Sequence, residues 1–256
     1  MALIKKDDTV DGGHIISLPE HGLDVSLKCP AEFRLLASKL LIGWSFQTAT
    51  LQEYDVSVVS DQKNSVVSKR YGLIGRHKDI LSTFNVFLNA IAYEVIAKLE
   101  KCLLVHAAAY KKNDEHIVVF GNKKAGKSTF IVDQCSSASE CISDDLVVWD
   151  NECRILSLGF PVRLRRPISD TLVAQLGKQS FLAGSSLAFV NPKSLNQVRA
   201  GKWIDISSFQ FLEQHIAKSI AKEAGYYQLA SRTIPQPKPR WLSFDKKRQK
   251  YGWSIH

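Results

Sequence analysis

The chain has no apolar run approaching the roughly 20 residues that cross a bilayer. Its longest runs, such as residues 103–110 (LLVHAAAY), stop well short, so no membrane role is expected. The first residues, MALIKKDDTVDGGH, contain no apolar signal core and carry two acids early. Export is therefore not expected, and the sequence predicts a soluble, cytoplasmic protein. Cysteine is sparse and scattered: Cys29, Cys102, Cys135, Cys141 and Cys153 form an odd set without a CxxC pair, which argues against a disulfide framework and against a zinc site. No internal repeat is visible. What is present is globular in kind, with 45% hydrophobic and 23% charged residues over 256 positions, enough for one sizeable core or a core with a smaller companion. The net charge of +9 suits a polyanionic partner: a nucleic acid, an acidic peptide or bound nucleotide phosphates.

Residues 1–75 read as short alternating runs (GGHIISLP, LDVSLKC, YDVSVVS) between Gly, Pro, Asp and Asn clusters, predicting a small β-rich region. Residues 76–256 are expected to form the functional core with a basic, aromatic tail. In ILSTFNVFLNAIAYEVIAKLEK the apolar positions Phe84, Phe87, Leu88, Ile91, Val95 and Leu99 keep helical spacing. CLLVHAAAY and HIVVF then read as two strands of a hairpin turned by KKNDE, KSTFIVDQC as a helix, LVVW and RILSL as a second hairpin, and ISDTLVAQL as a helix entered through Pro167. Residues 180–212 are ambiguous by pattern. Residues 213–231 are expected to be helical, followed by the proline-broken tail IPQPKPRWLSFDKKRQKYGWSIH.

The chemistry concentrates in GNKKAGKSTF, residues 121–130. Gly121, Gly126, Lys127 and Ser128 fit GxxxxGK[ST] between a strand and a helix. In that pattern glycines let backbone N–H groups curl around phosphate oxygens, the helix N-terminus faces them, the lysine reaches the β and γ phosphates and the hydroxyl ligates magnesium. The expected nucleotide contacts are Gly121, Asn122, Lys123, Lys124, Ala125, Gly126, Lys127, Ser128 and Thr129. Asp144 and Asp145 follow 17 and 18 residues after Lys127. Adjacent carboxylates can divide labour, one holding magnesium and the other accepting a proton from an attacking hydroxyl. His106 interrupts an apolar run 21 residues before Lys127; a lone histidine there is more often a hydrogen-bonded core residue than a catalyst.

Taken together, LVHAAAY…VVFGNKKAGKSTF…CISDDLVVW resembles the catalytic core of the HPr kinase/phosphorylase family and its shorter kinase relatives, whose core is similar to that of phosphoenolpyruvate carboxykinases. The resemblance covers about residues 100–166. It implies an α/β fold with a P-loop (Walker A) core of mixed β-sheet and flanking helices, and ATP- and Mg2+-dependent transfer of the γ-phosphoryl group to a serine hydroxyl. By the same resemblance Lys127 contacts the β and γ phosphates, Ser128 holds magnesium, Asp145 is the proton acceptor, Asp144 supports Asp145 or the metal, and His106 lies beside them. The family's acidic glycine-bearing segment and late arginine loop are not evident. The short N-terminal region differs from that of the bifunctional enzymes, which leaves reverse phosphorylase activity unsupported. Arg163, Arg165 and Arg166 in FPVRLRR are candidates to neutralise transferring phosphate or to hold an acidic acceptor.

The leading expectation is thus a kinase acting on a protein or peptide. The same transfer to a small-molecule or RNA hydroxyl is the alternative. It is motivated by the tail, where Lys238, Arg240, Lys246, Lys247, Arg248 and Lys250 alternate with Trp241, Phe244, Tyr251 and Trp253. A nucleotide-responsive binding protein without turnover is a third reading, and homo-oligomer formation is left open.

Overall fold

The structure is a computed structural model that describes residues 13–60, 62–121, 124–135, 139–150 and 152–212, together with the backbone of residues 226–229, 242–245 and 253–255. In chain order the first elements are β1 (Gly13–Leu18), β2 (Leu23–Lys28), α1 (Ala31–Leu40), β3 (Ser45–Thr48), β4 (Val56–Val59), β5 (Asn64–Ser68), β6 (Gly72–His77) and α2 (Ile80–Lys98). They are followed by β7 (Leu103–Val105), β8 (Ala108–Lys112), β9 (Glu115–Gly121), α3 (Lys127–Cys135), β10 (Glu140–Ser143), β11 (Val147–Trp149), β12 (Arg154–Leu156), β13 (Arg163–Arg165) and α4 (Asp170–Leu176). Strands β14 (Phe181–Ala183), β15 (Leu187–Val190), β16 (Trp203–Asp205), β17 (Ser208–Leu212), β18 (Tyr226–Leu229), β19 (Leu242–Asp245) and β20 (Trp253–Ile255) complete the order. The architecture is mixed α/β, with four α-helices among the described residues.

The first sheet runs β3-β1-β2-β4-β5-β6. It is antiparallel except where β2 lies parallel to β4. Along β2 the inward Leu23, Val25 and Leu27 are buried while Asp24 and Lys28 face solvent, the alternation of a strand with one covered face. The cover includes a helix that the strand-rich reading of residues 1–75 did not include. Helix α1 starts directly after Pro30, whose carbonyl accepts from the N–H groups of Phe33 and Arg34, and it buries Phe33, Ala37 and Leu40. That stripe has helical spacing but spans only 10 residues.

Helix α2 forms as its periodicity predicts. The Asp79 carboxylate caps it, accepting from Ser82 N–H at 2.9 Å and from Ser82 Oγ at 2.7 Å. Phe84, Phe87, Leu88, Ile91 and Val95 are all buried. By length and composition this helix could cross a membrane, but 72% of its apolar window is covered inside the protein. It is the shared centre of a continuous core that joins β1, β2, β4, β5 and α1 to Leu146, Val148, Leu158, Phe160 and Phe189.

The second sheet, β10-β8-β9-β17, carries the glycine loop at the end of β9. Strands β8 and β9 form the expected hairpin around Asn113 (φ 50°) and Asp114 (φ 64°), a two-residue turn in the left-handed region that these side chains tolerate. The third sheet, β16-β12-β11-β7, contains the expected β11–β12 hairpin, and the fourth is β13-β15-β14. The ambiguous residues 180–212 resolve into β14 to β17, with β17 parallel to β9. None of the five cysteines is in a disulfide.

Two expectations need correction. CLLVHAAAY is not one strand of a hairpin: β7 and β8 belong to different sheets and the chain breaks at His106–Ala107. Apolar residues on both sides of the break conceal it from a pattern reading. The helix expected over 213–231 is overturned at Tyr226–Leu229, which pair antiparallel with Leu242–Asp245, themselves paired with Trp253–Ile255. The aromatic, β-prone YYQL outweighs the helix-forming residues before it. The rest of 213–231 and the basic residues of the tail lie outside the described residues.

A close crossing ties the first sheet's helical cover to the other half. Ile42 N–H donates to the Gly159 carbonyl at 3.1 Å, and Ala200 N–H donates to the Ile42 carbonyl at 2.9 Å. Gly159 has φ 61°, and a Cβ there would lie 2.2 Å from the Ile42 oxygen. Gly159→Ala should therefore cost roughly 2–4 kcal/mol through combined backbone strain and overpacking, read as a lower urea midpoint. An unchanged midpoint would show that this crossing can separate freely.

Candidate active site

The site forms where two sheets meet. Strand β7 pairs with β11 (Val105 opposite Val147) and β8 pairs with β10 (Ala109 opposite Ser143). Two neighbouring stretches of chain therefore leave one sheet and enter another at the same level. In the first, Ala107 N–H donates to the Val105 carbonyl at 3.0 Å, so His106 is the middle residue of a three-residue turn. In the second, Leu146 N–H donates to the Asp144 carbonyl at 2.7 Å, and Asp145 sits between them at φ 64°. This γ-turn is a strained conformation for a residue bearing a Cβ. A β-bulge at Ile142 re-aims β10 just before the turn. The bulged residue's carbonyl is satisfied by the buried Ser157 hydroxyl at 3.2 Å.

The glycine loop leaves from a firm platform. Phe120, the residue before Gly121, stacks with Phe211 at 5.5 Å and with Trp149 at 6.2 Å between ring centroids. Gly121 is the last residue of β9, and a Cβ there would meet the Leu212 carbonyl and Ala125, so packing alone demands glycine at that position. Gly126 differs: its φ is 89° and the space where a Cβ would stand is open. Helix α3 begins at Lys127 with its first N–H groups directed toward the loop. Lys127 is buried, and its Nζ donates to the Gly121 carbonyl at 2.8 Å. Burial pulls its pKa down, partly offset by Asp145 and Asp144. Lys124 and Thr129 are exposed and Ala125 is half-buried. Asn122 and Lys123 lie outside the described residues.

The loop and the aspartates are in contact. Ser128 Oγ donates to Asp144 Oδ1 at 2.9 Å, and Asp144 Oδ2 accepts from the Arg163 N–H at 3.1 Å. Asp145 accepts from Arg163 Nη2 on Oδ2 at 2.9 Å and faces His106 Nε2 across 2.8 Å on Oδ1. Lys127, Ser128, Asp144, Asp145, His106 and Arg163 therefore form one constellation. Arg163 engages both carboxylates, with its backbone on one and its guanidinium on the other. Its Nε is buried and has no hydrogen-bond partner among the described residues. Arg165, two residues further along β13, is exposed and has no ion-pair partner among the described residues, while Arg166 donates to the Gly184 carbonyl at 2.6 Å.

No protein-family model and no curated protein matches this chain.

Burial of Asp144, reinforced by the neighbouring Asp145 charge, pushes its pKa up to about 6, against the opposing bonds from Arg163 and Ser128. The hydroxyl of Ser128 and the carboxylate of Asp144 are hard oxygen donors side by side, of the kind magnesium takes, and two protein ligands leave the remaining positions to phosphate and water. Among the described residues no three His, Cys, Asp or Glu side chains cluster as a metal site of their own.

Beside the aspartates a narrow cleft opens between α2 and the segment Phe160–Pro161, walled by Leu88 and Phe189 and bordered by Asn85 and Asn89. The sequence reading did not find these residues. Two asparagines in a largely apolar helix look like part of an outer face, and only their half-burial beside Asp145 separates them from that.

Because folding raises the Asp144 pKa above its unfolded value, this group's contribution to stability is fully present below about pH 4 and is lost as pH rises through about 6. Asp144→Asn should therefore be more stable than the parent by about 2–3 kcal/mol at pH 7.5 and nearly equal to it at pH 4. Denaturation curves at the two pH values test this; a variant less stable at pH 7.5 would show the buried charge to be fully compensated.

Proposed function

We propose that this protein is an ATP- and magnesium-dependent kinase that transfers the γ-phosphoryl group to a hydroxyl, first of all a serine of a protein or peptide. We propose further that its core is of the HPr-kinase and phosphoenolpyruvate-carboxykinase type. The observation that carries the reading is the contact between the start of α3 and the aspartate pair, Ser128 Oγ to Asp144 Oδ1 at 2.9 Å. A GxxxxGK[ST] loop alone supports anion binding. A loop in direct contact with two carboxylates supports anion binding and proton acceptance in one place.

In this reading the backbone N–H groups at the start of α3 and Lys127 hold the phosphate tail, with the lysine exchanging the Gly121 carbonyl for phosphate oxygens. Asp145 takes the proton of the acceptor alcohol as its oxygen forms the new bond to the γ-phosphorus. The bond from that phosphorus to the β-bridging oxygen breaks, and ADP leaves with the electron pair. The contacts to His106 and Arg163 aim Asp145, which also lines the cleft beside α2, where the acceptor alcohol would bring its proton. The buried, unpartnered Arg163 Nε is a donor that a phosphate or acceptor oxygen would satisfy. Magnesium, held by Ser128 and Asp144, supplies neutralisation of the phosphate charge when bound.

The test is incubation with γ-labelled ATP, magnesium and fractionated lysate, followed by identification of labelled species. Asp145→Asn should lower transfer by about 10²- to 10⁴-fold with ATP affinity retained. Undiminished transfer would remove Asp145 as the base. ATP binding by the unaltered protein with no transfer to any fraction would favour a nucleotide-responsive protein instead.

A further inference from the structure

The cleft beside the aspartates has a size and a lining that describe an occupant. It offers about 20 Å³ of free space and ends on Asp144, Asp145 and Arg163. That is room for one water-sized group, a hydroxymethyl but not a sugar ring. Its walls are apolar on the Phe160, Phe189 and Leu88 side, whereas α2 contributes two amides, Asn85 and Asn89. Both asparagines are half-buried, and among the described residues neither side chain has a hydrogen-bond partner. Each displays an uncharged donor and acceptor pair, the complement of a peptide group. Four residues apart on a helix, they are separated by about 6 Å along its axis. An extended peptide presents groups on one side every two residues, about 6.6–6.8 Å.

We propose that this cleft is the acceptor site and takes an extended peptide. Its serine side chain enters the slot toward Asp145, and Asn85 and Asn89 hydrogen-bond to backbone groups of alternate residues. The proposal rests on the kinase reading for what happens to the serine, but not for the binding of the peptide. The narrow slot also selects serine over threonine, whose additional methyl would have to share it.

The experiment uses the full chain and an array of degenerate peptides with serine, threonine or alanine at the centre. Peptide binding is measured with magnesium and a non-hydrolysable ATP analogue, and transfer is measured with γ-labelled ATP; free serine and glycerol serve as small-alcohol controls. Asn85→Ala/Asn89→Ala keeps a strong helix former at both positions, and Asn85→Asp/Asn89→Asp keeps the shape while removing the donors. Retained affinity for the ATP analogue reports that each variant is folded. The expected result is binding of serine peptides by the unaltered protein, weakened about tenfold to a hundredfold in the alanine variant by the loss of two hydrogen bonds, with threonine peptides poorer. Loss of binding in the variants without transfer by any form would support the cleft assignment while defeating the kinase reading. Transfer to peptides unaffected by either double substitution would overturn the cleft assignment and leave the kinase reading standing. Absence of peptide binding by the unaltered protein, or free serine and glycerol serving as well as peptides, would also overturn it.

Discussion

Two carboxylates on adjacent residues repel, and in a poorly hydrated place the repulsion is hardly screened. The candidate site is arranged around that problem. Asp144 receives the Ser128 hydroxyl and the Arg163 backbone N–H, and Asp145 receives the Arg163 guanidinium and faces His106. One arginine thus serves both acids by different means, so its strand, β13, must lie against the turn after β10. The start of α3 must also be close enough for Ser128 to reach. The meeting of these elements explains why an isolated glycine turn would not suffice. The compensation is incomplete, as the elevated pKa of Asp144 shows, and the residual cost is one that a bound cation would relieve.

The geometry depends on two breaks in the strands. His106 and Asp145 each occupy the centre of a three-residue turn, and each turn separates strands that pair with those flanking the other. The positive φ of Asp145 is strain retained because the paired strands on both sides leave the turn no alternative. The bulge at Ile142 and its Ser157 partner belong to the same device, since they absorb the extra residue needed to aim the turn.

What could be read from the sequence was local. The glycine loop, the α2 stripe and the Asn113–Asp114 turn announce themselves within a few positions, and the structure contains the corresponding elements. Helix α1 is also local, but its three buried residues lie among strand signals and span too few turns to stand out. The break at His106 is invisible because the residues on either side of it are apolar, and only the strand partners, β11 for β7 and β9 and β10 for β8, assign the two halves to different sheets. Arg163 could be named as a candidate but not given its double contact, which depends on distant strands. Residues 213–231 misled because an alanine- and lysine-rich start was extended through the aromatic YYQL, where pairing with β19 decides the conformation.

The paired breaks also constrain how such a chain can change over time. A residue added between His106 and Ala108 would move β8 out of step with β10 while leaving β7 in step with β11, so the two ladders could no longer share a boundary. Restoring it would need a matching addition between Ser143 and Val147. Relatives of this protein should therefore vary in length at these two places only in concert, and freely in the loops that join the outer strands.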